Sequence, residues 1–182
     1  MPRTSQTHPL QIDSVAVPEG RGRIGLTICP GMVAGGMSER AWRRDLDQDL
    51  AAIKAWGATA VVTLIDDYEL EILAVPDLPQ KVQALGLEWH HLPIMNRDAP
   101  YEDFEERWVT SGPRLRERLR QGERIVLHCV YGLGRSGMIA ARLLVELGEP
   151  PEAAIRRVRA ARPGAIETEI QERHVFRCSP VK

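Results

Sequence analysis

The residues best equipped for chemistry lie together in "HCVYGLGRS", His128 to Ser136. Five residues separate Cys129 from Arg135, and a helical run follows. Gly132 and Gly134 permit backbone conformations that other residues resist. Successive N–H groups of Val130, Tyr131, Gly132, Leu133 and Gly134 can then turn inward as an anion nest. A helix start adds unpaired N–H groups and a positive dipole end. Arg135 adds a fork of donors suited to a tetrahedral oxyanion. Cys129 would form the floor of this cradle. A thiol in such a field ionises more readily and becomes a nucleophile aimed at a bound phosphorus. Ser136 is placed to hydrogen-bond the sulfur and help it leave. His128 is expected to order the loop, because a thiolate needs no general base.

Such a cradle needs a strand before it and a helix after it. "RIVLHC" supplies the strand, and Met138 to Leu147 the helix, which stops at Gly148. Upstream, "QIDSVAV" and "RIGLTIC" flank Pro18, Gly20 and Gly22 and predict a hairpin. Ser38 is a candidate N-cap for a helix carrying Trp42, Leu46, Leu50 and Ile53 on one face. "TAVVTLI" is a continuous apolar run of the kind covered on both faces. Tyr68 to Leu85 predicts helix broken by Pro76 and Pro79, and "LEWHHLPI" a strand ending at Pro93. "MNRDAPYED" is a loop, and the helix with Phe104, Trp108, Leu115 and Leu119 is expected to restart at Pro113. "PEAAIRRVRAAR" and "TEIQERHVF" close the chain as helices. The alternation predicts an α/β fold with a central, mostly parallel sheet flanked by helices. Residues 1–10 are expected to be loose, and residues 11–182 to form one domain.

Composition narrows the function classes. The 182 residues are 43% apolar with a formal net charge of -1, so nucleic acid is not an expected partner. No apolar run reaches the roughly 18 residues of a membrane span. Three scattered cysteines, Cys29, Cys129 and Cys178, give no disulfide framework and no metal-ligand spacing. The expected setting is the reducing cytoplasm, with no metal and no cofactor. Cys29 and Cys178 read as core or surface thiols, with a redox disulfide to Cys129 as the alternative. Arg156, Arg157, Arg159 and Arg162 read as a solvated helix face, or as a dock for an acidic partner. His8 and His174 read as surface residues, and Asp66 and Asp67 as turn residues or a rim beside the cradle.

"HCVYGLGRSG" resembles the signature of the cysteine-dependent protein tyrosine phosphatases. "GAIETEIQERHVF", "LTICPGM" and "HHLPI" resemble the dual-specificity branch, in particular the cyclin-dependent-kinase-associated phosphatase group with its bacterial and phage relatives. The resemblance implies a two-step mechanism through a phosphocysteine on Cys129. Arg135 and the loop amides would stabilise the equatorial oxygens. An aspartate on a separate loop would act as acid and then base. A glutamine that helps position water falls on Gln171. The family's usual acid position holds Asn96, and an amide cannot transfer that proton. Asp98, two residues before Pro100, is the expected acid. The alternatives are Asp103, no acid at all, and an Asp-to-Asn change at position 96.

The implied substrate is a phosphorylated protein or peptide, carrying phosphotyrosine and also phosphoserine or phosphothreonine. A phosphate-binding module without turnover, and a phosphatase for a non-protein phosphate ester, are the competing readings. A rhodanese-like sulfur transferase would also use a cysteine cradle, but the arginine spacing, Ser136 and "AIETEIQ" speak against it.

Overall fold

One sheet organises the chain, with strand order β1-β2-β7-β5-β6. The computed structural model describes all residues, 1–182. Strands β1 (Asp13–Ala16) and β2 (Arg23–Thr27) form the expected antiparallel hairpin. β2 then runs parallel to β7 (Arg124–His128), β7 to β5 (Ala58–Thr63), and β5 to β6 (Glu88–His91). A short separate ribbon pairs β3 (Val33–Ala34) with β4 (Trp42–Arg43). Ile24, Leu26, Ala60, Val61, Val62, Ile125, Val126 and Leu127 are all completely buried. That is the continuous apolar pattern of strands covered on both faces.

Side-chain alternation assigns the two faces. Gly25, Val126 and Val61 are in register, and a Cβ on Gly25 would lie 3.0 Å from the Trp56 ring at the end of α1 (Leu46–Ala55). This face also carries α3 (Leu78–Ala84), which packs on α1 and β6. His90 points to the opposite face, where its Nδ1 meets Ser111 of α4 (Glu102–Arg120) at 2.9 Å. On that side α5 (Gly134–Glu146) is wrapped by α4, α6 (Pro151–Ala161) and α7 (Glu169–Phe176). All thirteen residues of α5 are buried, so the helix that follows the cradle is the spine of the fold.

Three local expectations are corrected. Ser38 does not cap α1: Asp45 does, accepting from Gln48 N–H at 2.7 Å. Trp42 is drawn instead into β4, where the guanidiniums of Arg3 and Arg44 stack on its ring. Pro113 does not restart a helix but lies within α4. It is exposed and so is Val109, whose carbonyl the missing N–H leaves to water, while Phe104, Trp108, Leu115 and Leu119 hold the helix to the core. The first ten residues are held rather than loose. Arg3 N–H donates to Ala41 O at 2.8 Å, and Ser5, 2% exposed, receives Asp45 N–H at 2.9 Å.

The α4–α5 contact is polar at its centre. Glu146 accepts from Trp108 Nε1 and Arg142 Nε on one oxygen (both 2.9 Å) and from Arg116 Nη1 on the other (2.6 Å). All three charged side chains are less than a tenth exposed. Removing the carboxylate strands buried Arg116 and leaves Arg142 with Glu105 alone, and stranding one buried charge typically costs about 3–5 kcal/mol. Glu146→Ala is therefore expected to lower the urea-unfolding free energy by that amount, and Glu146→Gln by less.

Candidate active site

The cradle connects β7 to α5. Every carbonyl from His128 to Leu133 is tied away from it. His128 O receives Leu64 N–H, Val130 O receives Cys29 N–H, and Leu133 O receives Gly137 N–H and Ile166 N–H, all at 2.8–3.1 Å. Cys129 O faces His128 Nδ1 at 3.0 Å. Arg162 holds the other two, donating from Nε to Gly132 O (2.7 Å) and from Nη2 to Tyr131 O (2.9 Å). No protein acceptor takes the N–H of Val130, Tyr131, Gly132, Leu133, Gly134 or Arg135. Six successive amides without a protein partner have the pattern of an anion nest. Gly132 is irreplaceable here: φ is +68°, and an added Cβ would sit 2.2 Å from Thr27 O. Arg162, expected on a solvated helix face or at a dock for an acidic partner, instead buttresses the loop from outside.

Cys129 lies 4% exposed in this loop. A carbonyl only accepts, so His128 Nδ1 carries the hydrogen bonded to Cys129 O. Burial pushes the His128 imidazole down to about 4, so the ring is neutral and Nε2 accepts. Its donor is the Thr63 hydroxyl at 2.7 Å, whose oxygen in turn receives Trp89 Nε1–H at 2.9 Å. A chain of three hydrogen bonds from β6 through β5 to β7 thus fixes the backbone at the nucleophile candidate. Ser136 Oγ is fully buried with no hydrogen-bond partner.

Arg135 is 2% exposed. Its Nη1 and Nη2 grip both oxygens of Glu69 (2.9 Å each), and Nη1 also donates to Ile94 O at 2.9 Å. Burial alone would lower its pKa, but the Glu69 bonds prevail and raise it. Three of five N–H groups are committed. The remaining fork, Nε–H with one Nη2–H, has no protein partner. Glu69 belongs to α2 (Asp67–Ile72), where its side chain and Asp66 form a capping box. The reading of the sequence missed Glu69 entirely. Its only signal was a D-x-x-E spacing, which speaks of a helix cap rather than of a partner 66 residues away.

Asn96 and Asp98 lie on the loop between β6 and α4. Asn96 is exposed. Asp98 accepts Ala99 N–H on Oδ1 and the Tyr101 hydroxyl on Oδ2, each at 2.8 Å. Between them Arg97 adopts φ +64°, unusual for a residue other than glycine. The C-terminal segment holds this turn: Thr168 Oγ1 donates to Arg97 O at 3.1 Å, and Gln171 Nε2 to Asp98 O at 3.3 Å. Gln171 is fully buried, and its oxygen accepts from Glu167 N–H and Thr168 N–H. A Cβ on Gly134 would meet that side chain at 3.0 Å, so Gln171 joins the cradle to the Asp98 loop. Asp103 stands apart, exposed on the first turn of α4.

Cys29 is buried beside the loop, and burial together with Cys129 pushes its thiol well up. All three cysteines are free. His174, expected at the surface, is half-buried, and burial pushes it down to about 4 as well. Both His128 and His174 thus titrate lower in the folded chain than the unfolded value near 6.5. Their contribution to stability is complete above pH 6.5 and is lost as pH falls toward 4. For His128 the loss is on the order of 3 kcal/mol. Urea midpoints are expected to drop between pH 6.5 and 4.5, with a shallower drop in His174→Gln. A flat profile would contradict the buried neutral imidazoles.

Sheet, cradle and buried cysteine together define a member of the protein tyrosine phosphatase superfamily, in its dual-specificity branch. The chain belongs to the cyclin-dependent kinase inhibitor 3 (CDKN3) family, whose model matches residues 3–155. It is 33% identical over 129 residues to cyclin-dependent kinase inhibitor 3 of Rattus norvegicus, covering 69% of this chain and 59% of the relative. The match thus spans well under two thirds of that curated relative. The fold is similar to kinase associated phosphatase (KAP) with its catalytic-site cysteine changed to serine: TM-score 0.80, 27% identity, 92% of each chain. Tk-PTP in its active form aligns with TM-score 0.64 and 29% identity, over 86% of this chain and 90% of that one. No helix is long and apolar enough to cross a membrane.

Proposed function

We propose that the protein is a phosphatase that removes phosphate from phosphorylated proteins, accepting phosphotyrosine and also phosphoserine or phosphothreonine. The observation that carries this reading is the run of unpartnered amides from Val130 to Arg135 around a buried thiol. A nest of six successive amides suits a tetrahedral dianion. The relatives named kinase associated phosphatase and Tk-PTP support the same reading. With three free cysteines, we place the protein in the reducing cytoplasm.

The Cys129 thiolate attacks phosphorus and forms an S–P bond as the P–O bond to the substrate breaks. Asp98 gives its proton to the departing oxygen. The spare fork of Arg135 and the loop amides hold the three equatorial oxygens. Water then attacks the phosphocysteine, Asp98 takes its proton, and inorganic phosphate leaves with the thiolate restored. Gln171 is suited to positioning that water, and Ser136 Oγ to donating to the departing sulfur.

Asp98 has to exchange its bonds with Ala99 and Tyr101 for the leaving oxygen, which gives the second reading its basis. With Asn96 at the usual acid position, the chain would be a phosphate-binding module that does not turn over. Single-turnover phosphate release from a phosphopeptide separates the two. Release is expected in the wild type. Asp98→Ala is expected to slow it about 10²–10⁴-fold on alkyl esters, which are poor leaving groups. Binding without release in the wild type would establish the module instead, and Asn96→Asp gaining activity would return the acid role to position 96.

A further inference from the structure

A cavity of about 250 Å³ opens beside the cradle, between the Asp98 loop and the first turns of α2 and α4. Ile94, Met95, Ala99 and Tyr101 give it apolar walls, and Asp66 and Asp103 give it carboxylates. It abuts the scaffold of Arg135. Ile94 O is the acceptor of Arg135 Nη1, and Asp66 caps the helix turn that carries Glu69, the other partner of that guanidinium. A side chain in this cavity would therefore belong to a residue close to the phosphoresidue.

The charges around it favour a cation. Asp66, Asp67, Asp98, Glu102 and Asp103 are local carboxylates, and none of them enters an ion pair. The nearby cations are already engaged: Arg107 donates to His91 O at 3.1 Å, Arg97 faces Glu167 at 3.6 Å, and Arg135, which also feels Asp66, is held by Glu69 and Ile94 O. Carboxylates in a first helical turn are explained by the helix dipole alone. That explanation covers Asp67, Glu102 and Asp103, and the capping box accounts for Asp66. Neither requires Asp66 and Asp103, from different helices, to converge on one apolar cavity. Lysine and arginine match such a site, since their stems cover apolar surface while their heads stay near carboxylates and water.

We infer that this cavity is a subsite for a lysine or arginine side chain within three residues of the substrate's phosphoresidue. The inference rests on the phosphatase reading and narrows its substrates to phosphopeptides with a basic flank. An acidic rim beside an anion cradle would otherwise repel its own ligand, and the basic flank offsets that repulsion.

The test uses the Cys129→Ser protein and phosphotyrosine peptides that differ only in carrying Lys, Ala or Glu at one flanking position, each of six positions in turn. Dissociation constants are measured at low and high salt. At one or more positions the Lys peptide is expected to bind about tenfold tighter than the Ala peptide, as two partly exposed ion pairs allow. The Glu peptide should bind weaker, and salt should narrow the gap. Asp103→Lys in the same background should reverse the order. A gap under about twofold at every position, or one untouched by Asp103→Lys and Asp66→Asn, would overturn the subsite. Wild-type turnover on the same peptides tests the phosphatase reading separately. Discrimination without phosphate release keeps the subsite and removes the enzyme, whereas release without discrimination does the opposite.

Discussion

Cys129→Ser is expected to abolish phosphate release, by at least about 10⁴-fold, while phosphopeptide binding survives. The expectation follows from how the loop is held. The ties on its carbonyls come from Leu64, Cys29, Gly137, Ile166, His128 and Arg162, and none of them uses the Cys129 sulfur. Serine retains the small buried side chain but not the sulfur nucleophile. Phosphate release and calorimetric binding, measured on the same preparation, give the answer. Loss of binding together with turnover would show that the thiol shapes the cradle rather than reacting in it.

Arg135→Lys should lower kcat/KM by about 10³-fold with the charge unchanged. Oxyanion donors are worth about 10²–10³ each, and lysine lacks the planar fork. It also cannot satisfy both Glu69 oxygens and Ile94 O while offering two parallel donors to a phosphate. Glu69→Gln provides the comparison: it keeps an acceptor for the guanidinium but loses the second charged contact, so its effect should be smaller. Steady-state rates on one aryl phosphate for the three proteins decide this. A lysine variant within tenfold of wild type would reduce the role of Arg135 to a point charge.

The parts of this protein that were legible in its sequence are contiguous ones. β7, the glycine loop and α5 follow one another within 23 residues, so spacing and propensity act on the same short stretch. The alternation of apolar runs and helical periods was enough for the order of sheet and helices. What escaped was carried by side chains distant in sequence. Glu69 reaches Arg135 across 66 positions, Thr63 reaches His128 across 65, and Arg162 reaches back 30 to Gly132. A local pattern holds no trace of such pairs, because each residue also has an ordinary local explanation: a cap, a strand threonine, a charged helix face. Ser38 and Pro113 failed differently, since tertiary contacts at Trp42 and along the buried side of α4 outweighed local preference.

The attachment of the Asp98 loop to the last helix has a consequence for how the molecule opens. Thr168, Gln171 and Glu167 fasten residues 97 and 98 to the start of α7, so the loop has no hinge of its own. The two form one cooperative unit of local unfolding. In amide hydrogen exchange, the N–H groups of Asp98 and Ala99 should lose protection at the same free energy as those of α7. Thr168→Val should accelerate both together and leave β7 protected. The proton donor would then be delivered by local opening of α7 together with its loop rather than by the swing of a lid.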